Sequence, residues 1–460
     1  MEFLSTLLYF LITIGVLVFV HELGHFLAAK FCKMRAEVFA LGMGYRLFGY
    51  NKINGFTFGK LDDTIKLENN TDYRIAAFPI GGYVKIAGMI DESLDTEFAN
   101  KEPEPWEFRA RPLWQRMLVI CAGVIMNILL AIVIFWGVNF FRGNTFMQTT
   151  EIGYVKDGSS AARMGFQKGD KIVTINEKKI EYWDGIQSAL FIENIAKNLS
   201  IKIERGGTTE TISIPKDSVP NIAEMNSAPL ALYGIFPAHT QAMIADVIKD
   251  KPAKKSGLQK NDIVTVINNE IVYSEQQLVS IIKSNPSKEI QLTVQRDSIT
   301  KIINVTPSED GLIGVAIASK YNGPIVSVQY GFFESFPKGV KDVFNTSSLF
   351  IKSMWQVVRG EVAFSKSVGG PVKIAKLAGR SAEMGILNFL IFMSLLSISL
   401  AIINILPFPA LDGGHLVLLI YEGIFRKPVP HKAQQIIQQV GMFILLAFMA
   451  FVLFNDIRGL

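Results

Sequence analysis

Residues 3–29 read FLSTLLYFLITIGVLVFVHELGHFLAA, an apolar run that closes on His21-Glu22-Leu23-Gly24-His25. About 20 apolar residues cross a bilayer as a helix, so Phe3 to Ala29 is long enough to span. Residues four apart share one helix face, so His21 and His25 present two imidazoles side by side and can hold one zinc ion. Glu22 lies beside them, placed to take a proton from water at that ion. The bland alternative is a hydrogen-bonded pair of core histidines with a buried glutamate. Ionisable groups inside a span are costly and are functional suspects by default. The chain has only five histidines in 460 residues, so this spacing is improbable by accident. The zinc reading is preferred.

The run has no basic segment before it and no small-residue cleavage site after it, so it reads as a retained helix and not as a secretory signal. Three further apolar stretches are long enough to span: Met117 to Phe141, Ile386 to Leu406 and Ile436 to Phe454. Hydrophobic residues make up 49% of the chain and charged residues 19%, which excludes a single large soluble globule. The net charge is only +5 with no long basic run, so nucleic acid is not an expected partner. The basic residues instead flank the spans. Lys30, Lys33 and Arg35, then Arg109, Arg111 and Arg116, then Arg426, Lys427 and Lys432 all fall on one side of a four-span chain. That side is expected to be cytoplasmic. Both termini and the segment from Gly143 to Gly385 are then outside, against the vote of one cluster, Lys373, Lys376 and Arg380. Cys32 and Cys121 have no pairing pattern, so the outer segment must fold without disulfides.

That segment contains a repeat. Gly153 to Ile180 reads GYVKDGSSAARMGFQKGDKIVTINEKKI, and Ala245 to Ile271 reads ADVIKDKPAKKSGLQKNDIVTVINNEI. Aligning Gly165 with Gly257 also aligns Ala161 with Ala253, Asp170 with Asp262 and Asn176 with Asn268. Each copy predicts a strand (Lys171 to Asn176; Ile263 to Asn268), a short helix (Asp184 to Ile195; Glu275 to Ile282) and a final strand. Two tandem α+β domains are expected. Their pattern resembles the PDZ domains of bacterial proteases, which take an extended C-terminal peptide as an added strand. Gly234-Ile235-Phe236-Pro237 and Gly314-Val315-Ala316 are the candidate carboxylate loops; the alternative is that these glycines only turn the chain.

A catalytic zinc needs a third protein ligand and an open position. The candidate lies far downstream, in Asn404-Ile405-Leu406-Pro407-Phe408-Pro409-Ala410-Leu411-Asp412-Gly413-Gly414-His415. Two prolines and two glycines break an apolar helix there, and broken helices at membrane depth are tolerated where they line a polar cavity. Asp412 sits in the break, with His415 as a rival ligand.

These two motifs together resemble the site-2 protease family of intramembrane metalloproteases, through its HExxH and NxxPxPxLDGG patterns. The resemblance covers essentially the whole chain, including Gly81-Gly82-Tyr83-Val84-Lys85, Gly123-xxx-Asn127 and Gly370-Pro371-Val372-Lys373-Ile374-Ala375-Lys376. Val124 departs from the family pattern, which has proline after that glycine. The resemblance implies a zinc endopeptidase of the bacterial cytoplasmic (inner) membrane, with His21, His25 and Asp412 on the metal and Glu22 as catalytic base. It also implies that Asn127 and Asn404 handle the substrate backbone. The substrates it implies are single-span membrane proteins already trimmed by another protease, anti-sigma factors first and signal-peptide remnants second.

The expected fold is a multi-pass α-helical membrane protein with four spans, a membrane-associated β-hairpin or sheet and two α+β PDZ-type domains. In order, residues 1–35 hold the first span and 36–112 a cytoplasmic-side re-entrant β segment, turned at Gly81-Gly82, whose edge could pair with unwound substrate. Residues 113–142 form the second span, 148–235 and 236–322 the two domains, and 325–385 a Phe-rich amphipathic segment at the lipid interface. Residues 386–425 and 433–456 complete the third and fourth spans. The rivals are a membrane-anchored PDZ adaptor with a structural or inert metal centre, and a transporter. Intact Glu22 argues against the first, and the lack of two matching interrupted halves against the second.

Overall fold

The computed structural model of the chain describes residues 2–61, 67, 69–89, 102–190, 198–215, 230, 233–360 and 369–458. The chain divides into two units, Met1–Gly143 with Gln329–Leu460, and Asn144–Val328.

The first unit is built on α1 (Glu2–Phe31), α2 (Leu113–Arg142), a long helix α7 (Phe332–Val358), α8 (Pro371–Glu383), α9 (Ile386–Asn404), α10 (Asp412–Phe425) and α11 (His431–Arg458). Among the described residues, four of its helices are long and apolar enough to cross a membrane: Leu4–Phe31, Leu113–Arg142, Ile386–Asn404 and His431–Asp456. These match the four stretches read from the sequence. The helix α2 is central and packs against α1, α7, α9 and α10. Small residues make the contacts close, as expected where lipid removes the hydrophobic drive between helices. A Cβ on Gly24 of α1 would lie 2.3 Å from the Ala122 carbonyl oxygen of α2, and one on Gly339 of α7 would lie 2.7 Å from the Trp136 nitrogen. The Phe-rich segment forms α7 and α8, and residues 361–368 between them lie outside the described residues. Along its first half α7 packs on α2: Trp136 Nε1 donates to the Phe332 carbonyl at 2.8 Å, and Asn139 Nδ2 donates to Asp342 Oδ2 at 2.8 Å.

Between α1 and α2 lies a three-stranded sheet in the order β2 (Gly55–Phe58), β1 (Ala36–Asn51), β3 (Asp72–Ile86). Ala36–Leu41 is in register with Gly82–Ile86, and Arg46–Tyr50 with Tyr73–Ala76. Arg46 knots the sheet. Its guanidinium donates to both Asp72 carboxylate oxygens at 3.0 and 3.1 Å, and to the Thr57 and Gly59 carbonyls of the neighbouring strand region. Both charged groups are buried, and such a pair is tolerable only because its remaining donors are also satisfied. Tyr45, Leu47, Phe56, Phe58 and Phe78, by contrast, are exposed large apolar groups of the same sheet. Exposed apolar groups of this size mark a lipid or protein contact. Parts of the expected 36–112 segment, namely 62–66, 68 and 90–101, lie outside the described residues.

The second unit begins and ends on paired strands, β4 (Asn144–Met147) against β17 (Ile325–Val328), so both of its connections leave side by side. Within it the chain makes the same circuit twice. The first runs β5 (Ile152–Val155), α3 (Ser160–Arg163), β6 (Lys171–Ile175), β7 (Lys178–Lys179), α4 (Trp183–Ser188), β8 (Leu199–Arg205), β9 (Thr208–Ile214) and β10 (Ile235–Pro237). The second runs β11 (Thr240–Val247), α5 (Pro252–Lys255), β12 (Ile263–Ile267), β13 (Glu270–Ile271), α6 (Glu275–Lys283), β14 (Ile290–Arg296), β15 (Ile299–Val305) and β16 (Val315–Tyr321). Residues 191–195 of the first expected helix lie outside the described residues.

The aligned residues do the same work in each copy. Asp170 accepts from Arg205 Nε at 2.7 Å and from the Gln167 amide at 2.8 Å; Asp262 accepts from Arg296 Nε at 2.6 Å and from the Gln259 amide at 2.9 Å. Asn176 Oδ1 accepts from the Ser200 amide and Asn268 Oδ1 from the Gln291 amide. Each copy has its own core, centred on Ile172, Ile186 and Ile201 in the first and on Val264, Leu278 and Leu292 in the second. The copies differ at their last strand. In the first, β10 ends at Pro237 and, among the described residues, pairs with β5 alone; in the second, β16 runs seven residues along β11.

Candidate metal centre

Two helices converge on one point of the first unit. The helix α1 supplies His21 and His25 from adjacent turns of one face. Asp412 comes from the first turn of α10, just past the break that separates it from α9. Within the break, Pro407 and Pro409 supply no backbone donors, and Ala410 takes a left-handed backbone with φ of +72°. The chain folds back so closely that a Cβ on Gly413 would stand 2.1 Å from the Leu406 carbonyl oxygen, and one on Gly414 2.4 Å from that of Phe408. These contacts require glycine at both positions and put the start of α10 beside α1. A negative carboxylate in the first turn of a helix is also favoured by the helix dipole.

His21 Nε2 and His25 Nε2 are 3.2 Å apart, and Asp412 Oδ2 stands 3.2 Å from the first and 3.5 Å from the second. Tetrahedral zinc with bonds of about 2.0–2.1 Å holds its ligand atoms about 3.3–3.4 Å apart. The three atoms therefore form one face of such a tetrahedron. Asp412 Oδ2 is buried with no hydrogen-bond donor of its own, which is the state expected of an atom whose lone pair serves a cation. Among the described residues, these three are the group of histidine, cysteine and acidic side chains close enough to share an ion. The residues fit zinc.

The outer nitrogens of both rings turn to α2. His25 Nδ1 lies 2.8 Å from the Val119 carbonyl oxygen, and His21 Nδ1 lies 3.2 Å from the Asn127 side-chain amide. Gly123 lies between these two positions in the chain. A Cβ there would approach His25 Nε2 to 2.4 Å and His21 Cε1 to 2.6 Å. The Gly123-xxx-Asn127 pair is thus one face of α2, in which the glycine makes room for the rings and the asparagine meets one of them. Asn404, the last residue of α9, places Nδ2 3.3 Å from His21 Nε2, on the side of the ring where the ligand atoms converge. The two asparagines therefore stand on opposite sides of one imidazole.

His415, the rival ligand in the sequence, is turned away. Its Nε2 pairs with Gln438 of α11 at 2.8 Å, and it is outside the three-atom group. Glu22 lies against the sheet, where a Cβ on Gly82 would come within 3.1 Å of its Cγ and 2.8 Å of Val18 Cγ1. Gly82 therefore sets the approach of β3 to α1 beside the glutamate. Gly81, with φ of +81°, faces Met43 instead. Sequence reading missed the supporting contacts: the Val119 carbonyl, Ser397 donating its hydroxyl to the Asn127 carbonyl at 2.8 Å, and Gly441 of α11 against Pro409. It also missed the bidentate pair of Arg116 with Glu422, at 2.6 and 2.9 Å, which ties α10 to α2.

The sequence profile of peptidase family M50 matches residues 9–448. The chain belongs to peptidase family M50. Its relatives cover it end to end. A protein named regulator of sigma E protease in Haemophilus influenzae is 30% identical, with 99% of each chain aligned. A protein named protease RseP in Yersinia pestis is 29% identical over 100% of each, and a Vibrio cholerae protein whose name carries the words zinc metalloprotease is 30% identical over 98% of each. As an M50 member the chain is a site-2-type zinc metalloprotease, and zinc is its cofactor.

The Gly123 contact gives a direct check on this centre. Gly123→Ala should lower bound zinc at least tenfold, because the new methyl occupies the space of both rings while leaving helix propensity improved. Metal analysis of the purified variant beside wild type measures it. Full zinc content in Gly123→Ala would mean that the rings lie elsewhere in the working enzyme.

Proposed function

We propose that the chain is an intramembrane endopeptidase that cuts single-span membrane proteins within or beside the bilayer after a first protease has trimmed them. The observation that carries this reading is the triangle of His21 Nε2, His25 Nε2 and Asp412 Oδ2 between apolar helices. Three protein ligands leave one position of a tetrahedral ion open, as catalytic sites do, whereas structural zinc sites are closed by four. That favours an enzyme over an adaptor with an inert metal. When bound, zinc acidifies water and polarises a carbonyl. The chain supplies the rest. His21, His25 and Asp412 hold the ion, and Glu22 takes the proton of the attacking water and passes it to the departing amine. Asn404, on the ligand side of His21, offers its amide to the substrate backbone.

Purified protein should carry about one zinc per chain. Asp412→Ala should lose it, and His415→Ala should keep it. Glu22→Gln should keep zinc and lose cleavage by at least a hundredfold, since a general base contributes about 10²–10⁴ in rate. Near-wild-type turnover in Glu22→Gln would remove that residue from the chemistry.

A helical substrate hides its peptide groups in its own hydrogen bonds, so the enzyme must unwind it and replace them. The edge strand β3 offers backbone donors and acceptors for that purpose at Gly81 and Gly82, and Asn404 adds a side chain. Asn404→Ala should therefore slow cleavage of a stable helix about tenfold more than that of one loosened by glycine or proline near the cut. Equal slowing of both would assign Asn404 to packing.

In the same reading the chain lies in the bacterial inner membrane with its basic loops inside, and with both termini and the second unit outside. The exposed apolar groups of the β-sheet are in contact with lipid, and α7 and α8 follow the outer interface. The relatives named for sigma-E regulation point to anti-sigma-factor-like substrates, with signal-peptide remnants as a second class. The two repeats are PDZ domains that gate access by substrate size, with capture of C-terminal peptides secondary. Replacing residues 153–317 by a flexible linker should then permit cleavage of untrimmed substrate in membranes while trimmed substrate is still cut. Continued refusal of untrimmed substrate would sink the gate, and poor cutting of trimmed substrate would make peptide capture the main role.

A further inference from the structure

We propose that Asn127 is a positioning residue that holds His21 in its metal-binding tautomer by accepting a hydrogen bond from Nδ1–H through its side-chain oxygen. This rests on the zinc reading and goes beyond the substrate-handling role that the resemblance implied for this residue.

A neutral imidazole carries one proton, and the nitrogen without it is the ligand. The Nε2 atoms of both rings face Asp412 Oδ2, so both protons must reside on Nδ1, and each Nδ1–H needs an acceptor. For His25 that acceptor is the Val119 carbonyl at 2.8 Å. For His21 the group at 3.2 Å is the Asn127 amide. If the amide donated its N–H to Nδ1, the ring proton would be forced onto Nε2, which would then point a hydrogen at Asp412 and be useless as a ligand. The amide presents nearly the same shape after a half-turn about its terminal bond. Only the orientation with Oδ1 toward the ring is compatible with zinc.

Three further observations support the assignment. Asn127 is fully buried, and its Oδ1 is without a hydrogen-bond donor when Nδ2 faces the ring; the half-turn gives that oxygen the Nδ1–H of His21 as its donor. Its backbone is pinned, because the Ser397 hydroxyl donates to the Asn127 carbonyl at 2.8 Å from α9. Asn127 also lies four residues from Gly123, whose Cβ would collide with the same imidazoles, so the two share a helix face on the rings. One α2 face thus makes room for the histidines and fixes their protons, through a backbone carbonyl for one and a side chain for the other. Partners of this kind commonly affect metal affinity by about 10–100-fold.

The test is zinc affinity of the purified full-length protein, measured by competition with a chelator, for wild type, Asn127→Leu and Asn127→Asp, with helix content recorded for each. Leucine keeps the bulk without an acceptor, and aspartate keeps the acceptor. Asn127→Leu should bind zinc about 10–100-fold more weakly, and Asn127→Asp should remain within a few-fold of wild type or bind more tightly, both with wild-type helix content. Wild-type zinc affinity in Asn127→Leu, whatever happens to cleavage, overturns the proposal and returns Asn127 to the substrate. Equal loss in folded leucine and aspartate variants also overturns it, since packing and not the acceptor would then be at stake. A wild-type chain that took up no zinc at all would overturn the metal reading beneath it and this proposal with it.

Discussion

Two imidazoles and a carboxylate stand within 3.5 Å of one another between helices made almost wholly of apolar residues. The rest of the membrane unit depends on keeping them there. Polar groups in such surroundings cost several kcal/mol each when left unsatisfied, and a shared divalent ion discharges that cost for all three at once. The helices must then approach closely enough for their side chains to reach one ion. Gly24 lets α1 touch the backbone of α2, and Gly123 lets the rings lie in the space gained. Neither glycine bears a side chain of the triad, yet a methyl group on either would push α1 and its two imidazoles away from the α2 face that supports them.

The carboxylate sets a harder problem than the histidines, because it comes from almost 400 residues away and from a helix start. A continuous apolar helix would bury its N–H groups and keep its side chains on its own cylinder. Breaking the helix between Asn404 and Asp412 frees a new N-terminus at depth and turns Asp412 toward α1. The prolines remove donors that would otherwise be orphaned, and Gly413 and Gly414 allow the loop to lie directly on the new first turn. Contacts further out hold this turn in place. Gly441 and Gln438 of α11 meet Pro409 and His415, and Arg116 grips Glu422 two to three turns further along α10.

Much of this was legible because the chemistry uses rare residues at fixed spacing. The i, i+4 histidines, the broken Asn404–Asp412 stretch and the four apolar runs can be read without coordinates, and so can the repeat, whose Asp170 and Asp262 turn out to play the same structural part. What escaped was everything carried by backbone or by residues with no pattern. The Val119 carbonyl has no signature in a sequence. Arg205 and Arg296 lie 35 and 34 residues from the aspartates they bind, beyond any local period. The choice between Asp412 and His415 was open from spacing alone, since both lie in the same broken segment; Gln438, a residue on another helix, accounts for His415. The roles of Asn127 and Asn404 looked alike for the same reason. Both are amides at membrane depth, and only their positions on opposite sides of His21 tell them apart.

Hydrolysis in this setting asks for two things that oppose each other. The metal ligands need a rigid, tightly packed surround, whereas a substrate helix has to enter and lose its internal hydrogen bonds. The two demands fall on different elements. The face of α2 toward His21 and His25 is filled and pinned, with Asn127 fully buried and Ser397 bonded to its carbonyl. The side toward Glu22 is bounded by the Gly82–Ile86 half of β3, which pairs with β1 along one edge and packs against α1 through Gly82. A strand edge can exchange partners without disturbing the sheet behind it, because its unpaired amides and carbonyls are already oriented for an extended chain. If Glu22 is the base, as proposed, a peptide that reaches it passes an element whose backbone is suited to bind it in unwound form. Rigidity at the imidazoles and an open edge at the glutamate then follow from a single arrangement, two helices locked by Gly24 and Gly123 with a sheet laid against the first of them.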